Sequence, residues 1–248
     1  MALMPEMPVQ EAALNFPHFG AARTAIGKLL YWRYRLFQQR RHDAAVLERI
    51  GDCPLLVMPG VLNPRLTRSG GFFASQLSTG LVSRGSEVLD MGTGSGVCAI
   101  VAAHQARRIV AVDINPAAVR CARINALLNH LEDRIEVTHG DLFAPVQGRR
   151  FDIVLFNPPF VHGTPSSDAD RAWRSTDVAE RFAEGLTGHL TPTGFALVVL
   201  STYGDPGRFV RHFRRCGFEM TPVAVRTFIN EQLTLVRLQQ PPRSGSVQ

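Results

Sequence analysis

The sequence predicts an α/β protein built on a doubly wound, mostly parallel sheet of seven strands, and three observations carry that expectation. Strand-length apolar runs ending in an acid or an amide recur from Ser86 onward, helical segments separate them, and a Gly-x-Gly-x-Gly turn follows the first run. The composition agrees. Of 248 residues, 45% are hydrophobic and 19% charged, which describes a chain with a sizeable buried core and excludes a disordered, collagen-like or disulfide-stapled protein.

In chain order, residues 1–53 read as a helical N-terminal segment, a lid or substrate-docking extension; residues 54–240 read as the catalytic domain and 241–248 as a tail. Within the first segment, Ala22, Ile26, Leu29, Leu30 and Phe37 recur at helical spacing over Ala21–Arg41, interleaved with arginines and with Tyr31, Trp32 and Tyr34. That face either packs on the core with its arginine stems in water or docks an acidic partner. Pro54 to Asn63 reads as a hairpin turning at Pro59-Gly60, and a helix follows over 72–82. Strands are expected over 86–91, 108–113, 134–138, 152–156, 195–201, 218–225 and 232–238, with a helix over 95–106 and another opened by Pro116. No helical run separates the last two strands, so the final strand alone is expected to run antiparallel.

A formal charge of +6 permits an acidic partner without establishing one. Cys53, Cys98, Cys121 and Cys216 form no Cys-x-x-Cys pair, and the eight histidines show no paired ligand spacing; four reduced core thiols and no metal are expected. His162, beside the most specific motif, reads as a solvated loop histidine in preference to a substrate contact. No 18-residue uncharged apolar run and no basic, apolar leader occur, so no membrane association and a cytoplasmic location are expected.

Four motifs carry chemistry. Glu87-Val-Leu-Asp-Met-Gly-Thr-Gly-Ser-Gly96 is a buried strand running into Gly92, Gly94 and Gly96, where a tight turn brings backbone close to a ligand. Val97 stands where a dinucleotide fingerprint needs a small residue, and no Lys-Ser/Thr pair follows, so the loop suits an uncharged nucleoside better than a pyrophosphate. Asp113 closes the next strand, where it accepts both hydroxyls of a ribose or caps the helix opened by Pro116. Asp141 follows the third strand, facing an exocyclic amine or serving as a turn acid after Gly140. Asn157-Pro158-Pro159-Phe160 ends the fourth: an amide side chain beside carbonyls whose proline neighbours have no N–H, suited to gripping an –NH2 group, with Phe160 as a face for a planar substrate.

Together, Asp90-x-Gly92-x-Gly94-x-Gly96, Asp113, Asp141-Leu142 and Asn157-Pro-Pro-Phe160 resemble the motif series of class I S-adenosyl-L-methionine (SAM) dependent methyltransferases. The likeness is to the branch that methylates nitrogen, nearest to release-factor glutamine methyltransferases and, further off, to adenine amino-methyltransferases of RNA and DNA. It spans about residues 55–240 and is strongest from Val88 to Phe160. The resemblance implies the Rossmann-like fold of that class and SAM as cofactor. It implies Asp90, Gly92, Thr93, Gly94 and Gly96 around the methionine moiety, Asp113 and Ile114 at the ribose, and Asp141 and Leu142 at the adenine. Asn157, shared between cofactor and acceptor, would act with Pro158 and Phe160 on the nitrogen to be methylated. Two departures stand out: Thr67-Arg-Ser-Gly-Gly71 replaces an acidic or threonine-bearing stretch, and Phe160 stands where glutamine methylases usually have Tyr.

The favoured reading is methylation of a protein glutamine. Three alternatives stay open: a small molecule of specialised metabolism as acceptor, an adenine amine in RNA, and a SAM-consuming cyclisation with Trp173, Tyr203 or the N-terminal aromatics facing the sulfonium. The oligomeric state is not legible.

Overall fold

The computed structural model describes Leu14, Phe16, Pro17 and residues 44–241, the side chains of Asp168 and Ala169 apart. The helix expected over Ala21–Arg41 lies outside the described residues. A hairpin of β1 (Val46–Ile50) and β2 (Cys53–Val57) precedes α1 (Arg68–Gln76), which runs on into a π-helical turn at Leu77–Leu81. Next come β3 (Glu87–Met91), α2 (Val97–Ala103), β4 (Arg108–Asp113), α3 (Pro116–Leu128), β5 (Ile135–His139) and β6 (Phe151–Phe156). A strap follows, comprising β7 (Val161–His162), the short α4 (Asp168–Arg171) and β8 (Arg174–Ser175). The chain continues as α5 (Val178–His189), β9 (Leu190–Ser201), α6 (Pro206–Arg215), β10 (Glu219–Thr227) and β11 (Gln232–Gln239).

Seven strands form one sheet in the order β10-β11-β9-β6-β3-β4-β5. Only β11 is antiparallel to its neighbours, as the missing helical run before it requires. Side-chain alternation along each strand feeds two cores. Val88, Ile109, Ile153, Leu155 and Leu197 face one layer, packed with Phe72, Phe73 and Ile100; Leu89, Val110, Val154, Phe156 and Val198 face the other, packed with Phe182 and Phe213. Residues buried on both sides explain why these strands read as continuous apolar runs.

The hairpin lies earlier than expected. It turns at Gly51-Asp52, where Gly51 has φ +57, and Val46–Ile50 is a strand inside the segment read as helical. Pro59-Gly60 does form a turn, but one that leads β2 toward α1 and not into a partner strand. The helix expected over 72–82 begins at Arg68.

The direction in which strands are added reverses at β3 and β6, which are themselves parallel: from β3 the sheet grows through β4 and β5 on one side, while β6 and β9 lie on the other. At such a switch point the two loops leave in opposite directions and open a crevice at the carboxyl ends of the strands.

Candidate active site

A cleft of about 230 Å³ occupies that crevice. The end of β3 supplies Asp90 and the loop Gly92–Ser95, the end of β4 Asp113 and Ile114, the turn after β5 Asp141 and Leu142, and the end of β6 Asn157–Phe160. The strap contributes Arg171, Trp173 and Arg174. Thus every residue singled out in the sequence lines one cavity except Gly96, and neither His162 nor Tyr203 lines it.

The glycine loop is held by backbone geometry. Gly92, Gly94 and Gly96 have φ of +65, +57 and +82, in the left-handed region that other residues enter at a cost. Gly94 lies where an added Cβ would meet nothing within 4 Å, which leaves room for a ligand at the cleft wall. Gly96 differs. A Cβ there would meet Cα and Cβ of Ala122 at 3.2 Å, so this glycine lets α2 approach α3 and its role is packing.

The loop is also pinned to β4: the Thr93 N–H donates to the Val112 carbonyl at 3.0 Å, and the Gly94 N–H donates to Asp113 Oδ2 at 2.8 Å. Asp113 Oδ1 accepts from the Asn115 N–H at 2.9 Å. The Ile114 N–H also acts on this carboxylate, which still keeps lone-pair capacity for a ligand hydroxyl. The helix cap is not Asp113 but Asn115, whose Oδ1 accepts from the Ala117 N–H at 2.9 Å.

Asp90 is 3% exposed; its Oδ2 accepts from Thr93 Oγ1 at 2.6 Å and from the Ala99 N–H at 3.1 Å. Burial pushes its carboxyl up to about 7, and the neighbouring Asp113 adds to the rise. Burial raises Asp113 too, against the hydrogen bonds it accepts.

Asp141 is paired with Arg181 of α5, Nη2 to Oδ2 at 2.6 Å. Arg181 lines the cleft and went unnoticed in the sequence, where nothing marks one arginine of an amphipathic helix from another. Leu142 has φ +47, a left-handed conformation unusual for a branched side chain and held here at the cleft wall. At the end of β6, Asn157 Nδ2 donates to Ser69 Oγ at 3.3 Å, while Asn157 Oδ1 is buried without a partner. Such an orphaned acceptor costs about 1–3 kcal/mol unless something donates to it, which suits a bound N–H.

A second unnoticed residue is Asn125, fully buried on α3. Its Oδ1 accepts from the Leu56 N–H at 2.7 Å, and its Nδ2 donates to the carbonyls of Leu56 at 2.7 Å and Ser95 at 2.8 Å. One amide thereby joins the hairpin, α3 and the glycine loop. An asparagine between Ala122 and Ala126 on a core-facing stripe was the available signal.

Comparison with known proteins places this arrangement. The model of the methyltransferase small domain matches residues 63–217, more than half of the chain. The chain belongs to that family. A release factor glutamine methyltransferase of Koribacter versatilis is 30% identical over 200 residues, covering 68% of this chain and 70% of its own. A tRNA1(Val) (adenine(37)-N6)-methyltransferase of Klebsiella pneumoniae is 34% identical over 143 residues, covering 54% of this chain and 58% of its own. Among solved structures, the ribosomal protein L11 methylase of Lactobacillus delbrueckii subsp. bulgaricus superposes with a TM-score of 0.57 at 19% identity, over 75% of this chain and 84% of that one. This methyltransferase uses SAM as its cofactor, and the cleft fits it: apolar walls from Val97, Ile114, Leu142 and Phe156 for a flat base, and the carboxyl groups of Asp90 and Asp113 for hydroxyls and positive charge.

Proposed function

We propose that the enzyme methylates the side-chain amide nitrogen of a glutamine in a protein. The observation that carries this reading is the unpartnered, buried Oδ1 of Asn157 in a cleft that also holds Pro158 and Phe160. SAM supplies an electrophilic methyl group on a sulfonium, so neither a metal nor a covalent enzyme intermediate is required. The residues around the acceptor then have one task. Asn157 Oδ1 and the Pro158 carbonyl each accept one N–H of the incoming amide, and Phe160 covers its plane. Accepting both protons pushes electron density back onto a nitrogen whose lone pair is delocalised into the carbonyl. Holding that nitrogen close to the methyl carbon contributes up to about 7–11 kcal/mol by itself.

On the cofactor side, Asp113 receives the ribose hydroxyls with its remaining lone pairs, and Gly92–Gly94 lie along the methionine moiety. Asp141 and Leu142 lie at the base. The glutamine methyltransferase among the relatives supports a protein acceptor for this chain as well.

Asn157→Ala tests the assignment. With a glutamine-containing peptide and labelled SAM, transfer is expected to fall by about a hundredfold or more, while calorimetric SAM affinity changes little. Undiminished transfer would remove Asn157 from the acceptor grip.

The formal charge of +6 and the adenine-modifying relative favour a second reading, an adenine amine in RNA held by the same two acceptors. Its mark is turnover that falls steeply with salt, because phosphate contacts release counterions; turnover insensitive to salt speaks for the peptide.

A further inference from the structure

The turn between β10 and β11 is far from every motif in sequence, yet it contacts Arg68, the neighbour of the cleft residue Ser69, and Ser201, at the head of the loop that packs on Phe160. Phe228, Ile229, Asn230 and Glu231 form it, closed by the Phe228 N–H donating to the Glu231 carbonyl at 2.7 Å. The Glu231 side chain is 13% exposed and spends each oxygen on a different element.

Oε1 accepts from Ser201 Oγ at 2.7 Å, at the end of β9. Ser201 Oγ in turn accepts from the Tyr203 N–H at 3.0 Å, which shapes the loop Thr202–Asp205. That loop lies directly on the Asn-Pro-Pro-Phe segment. A Cβ added to Gly204 would overlap the Phe160 carbonyl oxygen and stand 2.6 Å from its carbon, so the two backbones are in contact with no room between them.

Oε2 faces Arg68 Nη1 at 3.4 Å; the same Nη1 donates to Asn230 Oδ1 at 2.9 Å, and the guanidinium lies 4.6 Å from the centre of the Phe228 ring. Arg68 is the first residue of α1, and its neighbour Ser69 receives the Asn157 amide. Through two short paths, one carboxylate reaches the backbone of Phe160 and the side chain of Asn157.

We propose that Glu231 is a positioning residue for methyl transfer, a clamp that fixes Asn157 and Phe160 relative to each other. Its hydrogen bonds and ion pair go to Ser201, Arg68 and Phe228 and not to the glycine loop, so it acts through Asn157 and Phe160. The inference rests on reading Asn157 and Phe160 as the acceptor grip.

Hydrogen exchange of the full-length protein reads the clamp without any acceptor. In Glu231→Ala, peptides covering 157–163, 201–205 and 68–72 are expected to exchange at least about tenfold faster, while the loop 92–96 and calorimetric SAM affinity stay as in the wild type. Glu231→Gln keeps an acceptor for Ser201 and loses the charge facing Arg68, so 201–205 stays protected and 68–72 loosens. This variant decides the matter if the alanine protein fails to fold. Changes confined to 226–232 in both variants would overturn the proposal. With a glutamine-containing peptide, Glu231→Ala is expected to raise the peptide KM and lower kcat by about ten- to a hundredfold at unchanged SAM affinity; unchanged peptide kinetics would also overturn it. A wild-type enzyme that methylates no glutamine peptide would count against the glutamine acceptor, and the exchange data would still decide the clamp.

Discussion

Two carboxyl groups, Asp90 and Asp113, sit nearly out of water on neighbouring strands, and burial favours the neutral acid at both. For Asp90 the consequence has a sign. An unfolded carboxyl titrates near 4 and the folded one near 7, so between those values the folded chain binds more protons and stability falls as pH rises. The full shift corresponds to something on the order of 4 kcal/mol. Asp90→Asn keeps the shape and removes the titration. Urea midpoints of the wild type, measured without cofactor, are therefore expected to decline from pH 5 to 8 relative to those of the variant. Parallel curves would remove Asp90 as the source. SAM brings positive charge to this cleft and favours the ionised acids, so its affinity moves the opposite way, rising over the same range.

Among the elements, the hairpin of β1 and β2 depends on a side chain from another element. Asn125 acts as a partner strand would, donating to and accepting from Leu56 while holding Ser95. Asn125→Ala leaves three backbone groups without that partner and is expected to cost about 3–5 kcal/mol, by the usual cost of buried unpaired groups. Denaturant melts would show it, and a loss below about 1 kcal/mol would mean that water takes over the bonds. This is where legibility ended. β3, β4 and β6 are legible because each is an apolar run closed by an acid or an amide, and α3 because Pro116 opens it. The hairpin lies away from its expected place because Pro59-Gly60 and Gly51-Asp52 are both turn signals, and the pairing of Val46–Ile50 with Cys53–Val57 decides that the second one joins strands. Gly96 was grouped with its neighbours by spacing, although what it faces is Ala122 of a helix 26 residues on. Arg181 and Glu231 are ordinary letters in their segments, with partners across the fold and no local pattern to announce them; Asn125 is announced only by being polar on a core-facing stripe, which does not say what it holds.

For the whole molecule, the sheet order places the site and also sets how the fold is reached. β11 is the last strand among the described residues but lies inside the sheet, between β9 and β10. Until it arrives, β10 has no described partner strand and the apolar faces of β9 stay open along the edge where Leu233, Leu235, Val236 and Leu238 belong. A chain emerging from the ribosome amino end first can form the β3–β4–β5 half, with its glycine loop, long before it can close the acceptor half. Chains ending at Glu231 are expected to lack a cooperative melt, and a fragment of that length that unfolds in one sharp transition would refute this order. On this order, synthesis would pass through a stage in which the β3–β4–β5 half is formed while the edge of β9 is still uncovered. That stage would end when β11 pairs with β9, and a pause in translation before Gln239 would leave a long apolar edge in need of a chaperone.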